Sequence, residues 1–194
     1  MNRTPNFTGM AAMILHRPDP SLEVLTRRLN VIGLKTNAQW SPLDASLPLP
    51  DIIFVDADNA WSGLFPWGAG ETPAPVIALL GSEAPGRIAW ALDNGAKALI
   101  AKPVAASAVY PALVMAARAH AEERLQADRI ASLEERIRLR PVVLGAVQAL
   151  MALEGLDEAG AYSRLRREAM RLRIPLEQAA AGVLAAPRAA GRRR

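Results

Sequence analysis

Five arginines crowd ten residues near the C-terminus, Arg164, Arg166, Arg167, Arg171 and Arg173, with Glu168 as the single acid among them. A guanidinium group is planar and always charged, and its fork donates paired hydrogen bonds to two phosphate oxygens. It also stacks on an unpaired base, as the nearby Tyr162 can. Arg164, Arg167 and Arg171 are separated by steps of three and four, so a helix places them on one face, away from Ala161, Leu165, Ala169 and Leu172. The surrounding charge is uneven. Residues 1–103 carry eight Lys/Arg against nine Asp/Glu, whereas residues 104–194 carry fifteen against ten, and all fifteen cations are arginine. Basic charge confined to one half suits a polyanion partner for that half, and charge alone leaves a solvated helical surface equally open.

A second candidate cluster lies in the other half. Asp56 ends the apolar run DIIFVD, and Lys102 follows ALIA and precedes Pro103. A carboxylate and an ammonium, each closing an apolar run, can meet as an ion pair. Other chemistries have little to work with. The chain has no cysteine and only His16 and His120, so neither a thiolate site nor a histidine metal site is expected. No nucleophile, base and orienting group stand at catalytic spacing, so neither enzymatic activity nor a cofactor is expected. No apolar run reaches the ~20 residues of a membrane span, and the N-terminal segment makes a poor signal peptide, so a cytoplasmic protein without membrane contact is expected.

The elements that must position these groups follow from periodicity. Ala11–Leu15, Asp51–Asp56, Pro75–Leu80 and Ala98–Ala101 are short apolar runs bounded by turn residues, the pattern of buried strands. Between the first two lies a helical pattern capped by Ser21 and carrying Leu22, Leu25, Leu29 and Ile32. Ala84–Asn94 is a short helix ended by Gly95. Alternating strands and helices predict an α/β domain over residues 1–110, a parallel sheet with helices on both faces. Residues 111–140 read as a helical linker. Ile130, Leu133 and Ile137 recur at three-then-four spacing with mixed charges beside them, so this helix is expected to pair with a second copy as a coiled coil. Pro141 is expected to end or kink it. Residues 141–186 then read as a three-helix bundle: Val142–Glu154 stopping at Gly155, a helix capped by Asp157 that carries the arginines, and a third beginning at Pro175. Residues 187–194 form a basic tail.

The first 110 residues resemble the flavodoxin-like receiver domain of bacterial response regulators. Asp56 in PDIIFVDAD matches the family's phosphorylatable aspartate, and Lys102-Pro103 its fifth-strand lysine and proline. The acidic pair that holds Mg²⁺ in that family corresponds to His16 and Arg17, and the hydroxyl-bearing switch residue to Leu80, with Gly81 beside it. Phosphoryl transfer needs metal to neutralise developing charge. Asp56 and Lys102 are therefore expected to survive as a structural ion pair in a pseudo-receiver that a protein partner reads.

The C-terminal segment resembles the ANTAR domain of transcription antitermination regulators, through Leu150-Met151, Gly155, Ala161-Tyr162, Leu165-Arg166 and Ala169-Met170. The resemblance implies binding to stem-loops of leader transcripts, preventing a terminator hairpin, with a ligand-sensing repressor protein as partner. It implies that Tyr162 and Arg166 face the RNA, while Ala161, Leu165 and Ala169 hold the bundle. Arg164, Arg167, Arg171 and Arg173 are the expected companions. One departure is Val147, where the family commonly has a lysine. The alternative is a response regulator phosphorylated at Asp56 with a DNA-binding or protein-interaction output. Against its helix-turn-helix form, Pro175 and the apolar third helix leave no basic recognition helix.

Overall fold

A computed structural model describes residues 5–68 and 72–185. The basic tail at 187–194 lies outside the described residues. The chain divides into two compact units, Met1–Leu125 and Gln126–Arg194.

The first unit is built on five parallel strands in the order β2-β1-β3-β4-β5. They are β1 (Ala11–Leu15), β2 (Lys35–Gln39), β3 (Ile52–Asp56), β4 (Val76–Leu80) and β5 (Ala96–Ala101). Every residue of β3 and β4 is buried, which is why both read as uninterrupted apolar runs. The sequence pattern misses β2, KTNAQ. It is an edge strand paired to β1 alone, largely exposed, and carries no apolar signal.

Helix α1 (Pro20–Ile32) follows β1, α2 (Pro85–Asp93) follows β4, and α3 (Ala106–Glu154) follows β5. The cap of α1 is Asp19 rather than Ser21. Its carboxylate accepts from the Leu22 N–H at 2.8 Å, and Pro20 takes the first helical position, where a missing N–H costs nothing. The expected helices pack on both faces of the sheet. Leu25 and Leu29 of α1 and Val109 and Leu113 of α3 pack on one face of the sheet. On the other, α2 is joined by loop residues Leu43, Ala60, Leu64 and Phe65. Phe65 stacks against Trp67 and against Trp90 of α2 in this layer.

The second unit contains the end of α3 with α4 (Glu158–Leu172) and α5 (Leu176–Ala185). Pro141 neither ends nor divides α3, a helix of 49 residues that includes Val142–Glu154. A proline there forfeits the hydrogen bond to the carbonyl four residues back. Burial of Ala146, Val147 and Leu150 against Leu165, Ala169, Ala179 and Ala180 keeps the helical path beyond it. Gly155, at φ 68°, ends α3 in a left-handed conformation that glycine adopts without strain. Asp157 caps α4 by accepting from the Gly160 N–H at 2.8 Å. Among the described residues no single helix is long and apolar enough to cross a membrane.

Leu165 is fully buried at the centre of this small core. Leu165→Ala should cost about 2–5 kcal/mol, read as a lower urea midpoint for the transition of the C-terminal unit.

Candidate functional site

In an open parallel sheet of this order, the carboxyl ends of β1 and β3 flank the point where the winding reverses, the usual place for a site. Asp56 ends β3 there and is almost wholly buried. Its Oδ1 accepts from the Lys102 ammonium at 2.7 Å and from the Asp58 N–H at 3.2 Å, and its Oδ2 accepts from the Asn59 amide at 2.8 Å. Lys102 also lies 2.7 Å from Asp58 Oδ2, which in turn accepts from the Gly81 N–H at 2.7 Å. One ammonium thus bridges two carboxylates. A Cβ at Gly81 would come within 3.2 Å of that Asp58 oxygen, so the position beside Leu80 is crowded by the network itself.

His16 closes the pocket from β1. Its Nδ1 donates to the Arg17 carbonyl at 2.6 Å, which leaves Nε2 buried without a hydrogen-bond partner, 3.8 Å from Asp56 Oδ2. Asp19, the remaining nearby acid, is committed to capping α1. These residues do not fit Mg²⁺, which wants several oxygen ligands in near-octahedral geometry. An imidazole lines the pocket beside Asp56, and the Lys102 ammonium already occupies the space between Asp56 and Asp58. Outside the pocket, the Arg17 guanidinium lies over Trp40 at 5.3 Å, and Trp40 meets Trp61 edge to face at 5.0 Å.

Burial works against the charge of both Lys102 and Asp58, but their mutual contact outweighs it. Hydrogen bonds and attraction from Asp56 and Asp58 hold the Lys102 pKa above its ordinary value. The Lys102 contact and the Gly81 N–H hold Asp58 below the usual carboxylate range.

The basic helix α4 buries Ala161, Leu165 and Ala169, the three residues expected to hold the bundle. Its arginines are not equivalent. Glu168 accepts from Arg164 at 3.2 Å and is also paired with Arg171. The Arg171 hydrogen bond, joined by that from Arg164, holds the Glu168 carboxyl below its usual range despite some desolvation. Arg164 further lies 3.7 Å from Glu154. The face predicted from Arg164, Arg167 and Arg171 is therefore partly neutralised. Among the described residues, Arg166, Arg167 and Arg173 have no acidic partner within 4 Å. Tyr162, Arg166 and Met170 recur every four residues as one exposed stripe. Arg173 lies just beyond the helix as its C-cap, at φ 55°, a conformation that glycine adopts more readily. Val147 is buried in the bundle core, 4% exposed, and contributes no surface charge.

Ile130, Leu133 and Ile137 are exposed on α3, at 57%, 48% and 60%. Leu144, seven residues beyond Ile137, is exposed as well. His120 is buried on α3 within the first unit and touches none of these sites.

Replacing Lys102 by methionine leaves Asp56 buried without its cation and should destabilise the first unit by about 3–5 kcal/mol. The contribution from Asp58 is present above its ordinary pKa and is lost as pH falls through the depressed value. The contribution from Lys102 is present below its ordinary pKa and is lost as pH rises through the raised one. Thermal melts should therefore separate wild type from Lys102→Met most widely around neutral pH and converge toward either extreme.

Two family matches cover most of the chain. Residues 10–117 match the family described as AmiR, N-terminal, and residues 131–184 match the ANTAR domain. Of curated proteins, the aliphatic amidase regulator of Pseudomonas aeruginosa is 26% identical over 86% of this chain and 87% of its own length. The transcriptional regulatory protein PdtaR of Mycobacterium tuberculosis is 27% identical over 79% of this chain and 77% of its own. Of solved structures, the response regulator StyR is similar over 90% of this chain and 97% of its own, at 13% identity and a TM-score of 0.49. With an AmiR-type N-terminal domain followed by an ANTAR domain, the chain belongs to the ANTAR-domain transcription antitermination regulators.

Proposed function

We propose that this chain binds stem-loops of nascent leader transcripts through α4 and thereby prevents a terminator hairpin from forming. The observation that carries the reading is the exposed stripe of Tyr162, Arg166 and Met170, flanked by Arg167 and Arg173, whose cations no acid neutralises among the described residues. An aromatic ring interleaved with unpaired guanidinium groups suits splayed bases and their phosphates. Arg164 and Arg171, tied to Glu168, are secondary contacts that must exchange one partner for another. The work is regulatory rather than catalytic, divided among the receiver-like region 1–110, the helical linker 111–140 and the RNA-binding helices of 141–186.

Full-length protein should retard stem-loop RNA and not duplex DNA of matched length. Arg166→Ala should weaken RNA binding about tenfold and lower the salt slope by about 0.7, the loss of one single-strand phosphate contact. Arg171→Ala should do less. Preference for the duplex would overturn the reading.

Control in this reading comes from a protein partner, a ligand-sensing repressor, rather than from phosphate, since Asp56 is held by Lys102 and Asn59 and faces His16. Arg17, Trp40 and Trp61 at the same edge are residue types that anchor protein interfaces. A second reading, phosphorylation of Asp56, draws on its position at the end of β3 beside Lys102. Incubation with acetyl phosphate and Mg²⁺ should leave the intact mass unchanged. Stoichiometric addition abolished by Asp56→Asn would favour that second reading.

The functional form is a homodimer paired along Ile130, Leu133 and Ile137, which lie open on α3 and repeat as the inner positions of a heptad. Leu133→Asp with Ile137→Asp should shift the chain to monomer in sedimentation velocity. It should also reduce affinity for RNA carrying two stem-loops more than for RNA carrying one.

A further inference from the structure

The second unit holds a cleft of about 640 Å³, within the range of ~300–1,000 Å³ typical of small-ligand pockets. Val143 and Val147 of α3 and Leu176 of α5 supply apolar wall, and the half-exposed Tyr162 of α4 supplies an aromatic one. Its acids are Glu158 and Glu177, in the first turns of α4 and α5, and Arg140 is its single cation among the described residues. Capping does not account for Glu158, because Asp157 already caps α4. Neither glutamate is in an ion pair among the described residues.

Tyr162 belongs both to this cleft and to the exposed stripe that continues through Arg166. The cleft thus opens beside the cationic surface while being lined with the opposite charge. Two carboxylates repel a phosphate and accept hydrogen bonds from N–H groups. A flat ring that places its edge against Glu158 or Glu177 and its face against Tyr162 meets the donors, the aromatic surface and the apolar wall together, with its backbone left outside on Arg166 and Arg167.

We propose that this cleft receives one unpaired RNA base carrying an exocyclic amino group, and that it discriminates against uracil, whose one ring N–H is flanked on both sides by carbonyl oxygens that repel a carboxylate. The inference rests on the RNA-binding reading and adds a base-selective subsite to it. At such a site a carboxylate accepts from an amino group and is opposed by a carbonyl oxygen set at the same place.

The test uses the full-length chain and the tightest stem-loop selected from a pool with a randomised loop. Each loop nucleotide of that RNA is replaced by uracil in turn. At one position the substitution should weaken binding to wild type about tenfold, roughly one good hydrogen-bonded contact. In the variant carrying Glu158→Gln and Glu177→Gln the same substitution should cost less than about threefold, because a glutamine amide can donate to a uracil carbonyl. Melting curves establish that the double variant is folded. A loop in which every position tolerates uracil, or discrimination that survives in the double glutamine variant, overturns the subsite while leaving RNA binding intact. Failure to enrich any stem-loop overturns both.

Discussion

Helix α3 belongs to two hydrophobic cores at once, and the remaining architecture depends on that. Near its start, Val109, Leu113 and Ala116 complete one face of the parallel sheet. Near its end, Ala146, Val147 and Leu150 form a wall of the three-helix unit. Between these ends the helix exposes Ile130, Leu133 and Ile137, residues that neither core covers. A proline in its interior costs a hydrogen bond, yet packing on both sides sustains the helical path. Backbone propensity proposes a break at Pro141, and tertiary burial overrides it.

The carboxyl edge of the sheet follows a different economy. Burying Asp56 requires a counter-charge, and Lys102 supplies it to Asp56 and Asp58 together. His16 stands beside this pair with its Nε2 facing Asp56. The anionic oxygens are held by neighbouring side chains and backbone N–H groups, while the His16 Nε2 has no hydrogen-bond partner. Beside the pocket the exposed Arg17 packs on Trp40.

On α4 charge is sorted rather than merely accumulated. Glu168 engages Arg164 and Arg171, which leaves Arg166, Arg167 and Arg173 as cations without acidic neighbours among the described residues. The four-residue recurrence of Tyr162, Arg166 and Met170 then alternates stacking surface with charge along one line. The acid-lined cleft beside Tyr162 sets a negative surface next to that positive one.

Much of this was legible in the residues themselves. The apolar runs of β1, β3, β4 and β5, the Asp157 cap, the Gly155 stop and the clustering of arginine are local features, and local periodicity and capping chemistry reveal them without knowledge of any neighbour. The same holds for Asp56 and Lys102 as candidate partners, since each ends an apolar strand. Other features were decided only in three dimensions. Strand β2 is polar and exists because β1 offers it an edge. Loop residues share one sheet face with α2, since Leu43, Leu64 and Phe65 pack there beside Ala91. The division of the arginines into neutralised and free depends on rotamers meeting Glu168, and the cleft depends on three helices converging around Tyr162. Spacing along a chain reports which residues can share a face, but which charges cancel is settled by distances across packed elements, and these arise only when the cores close.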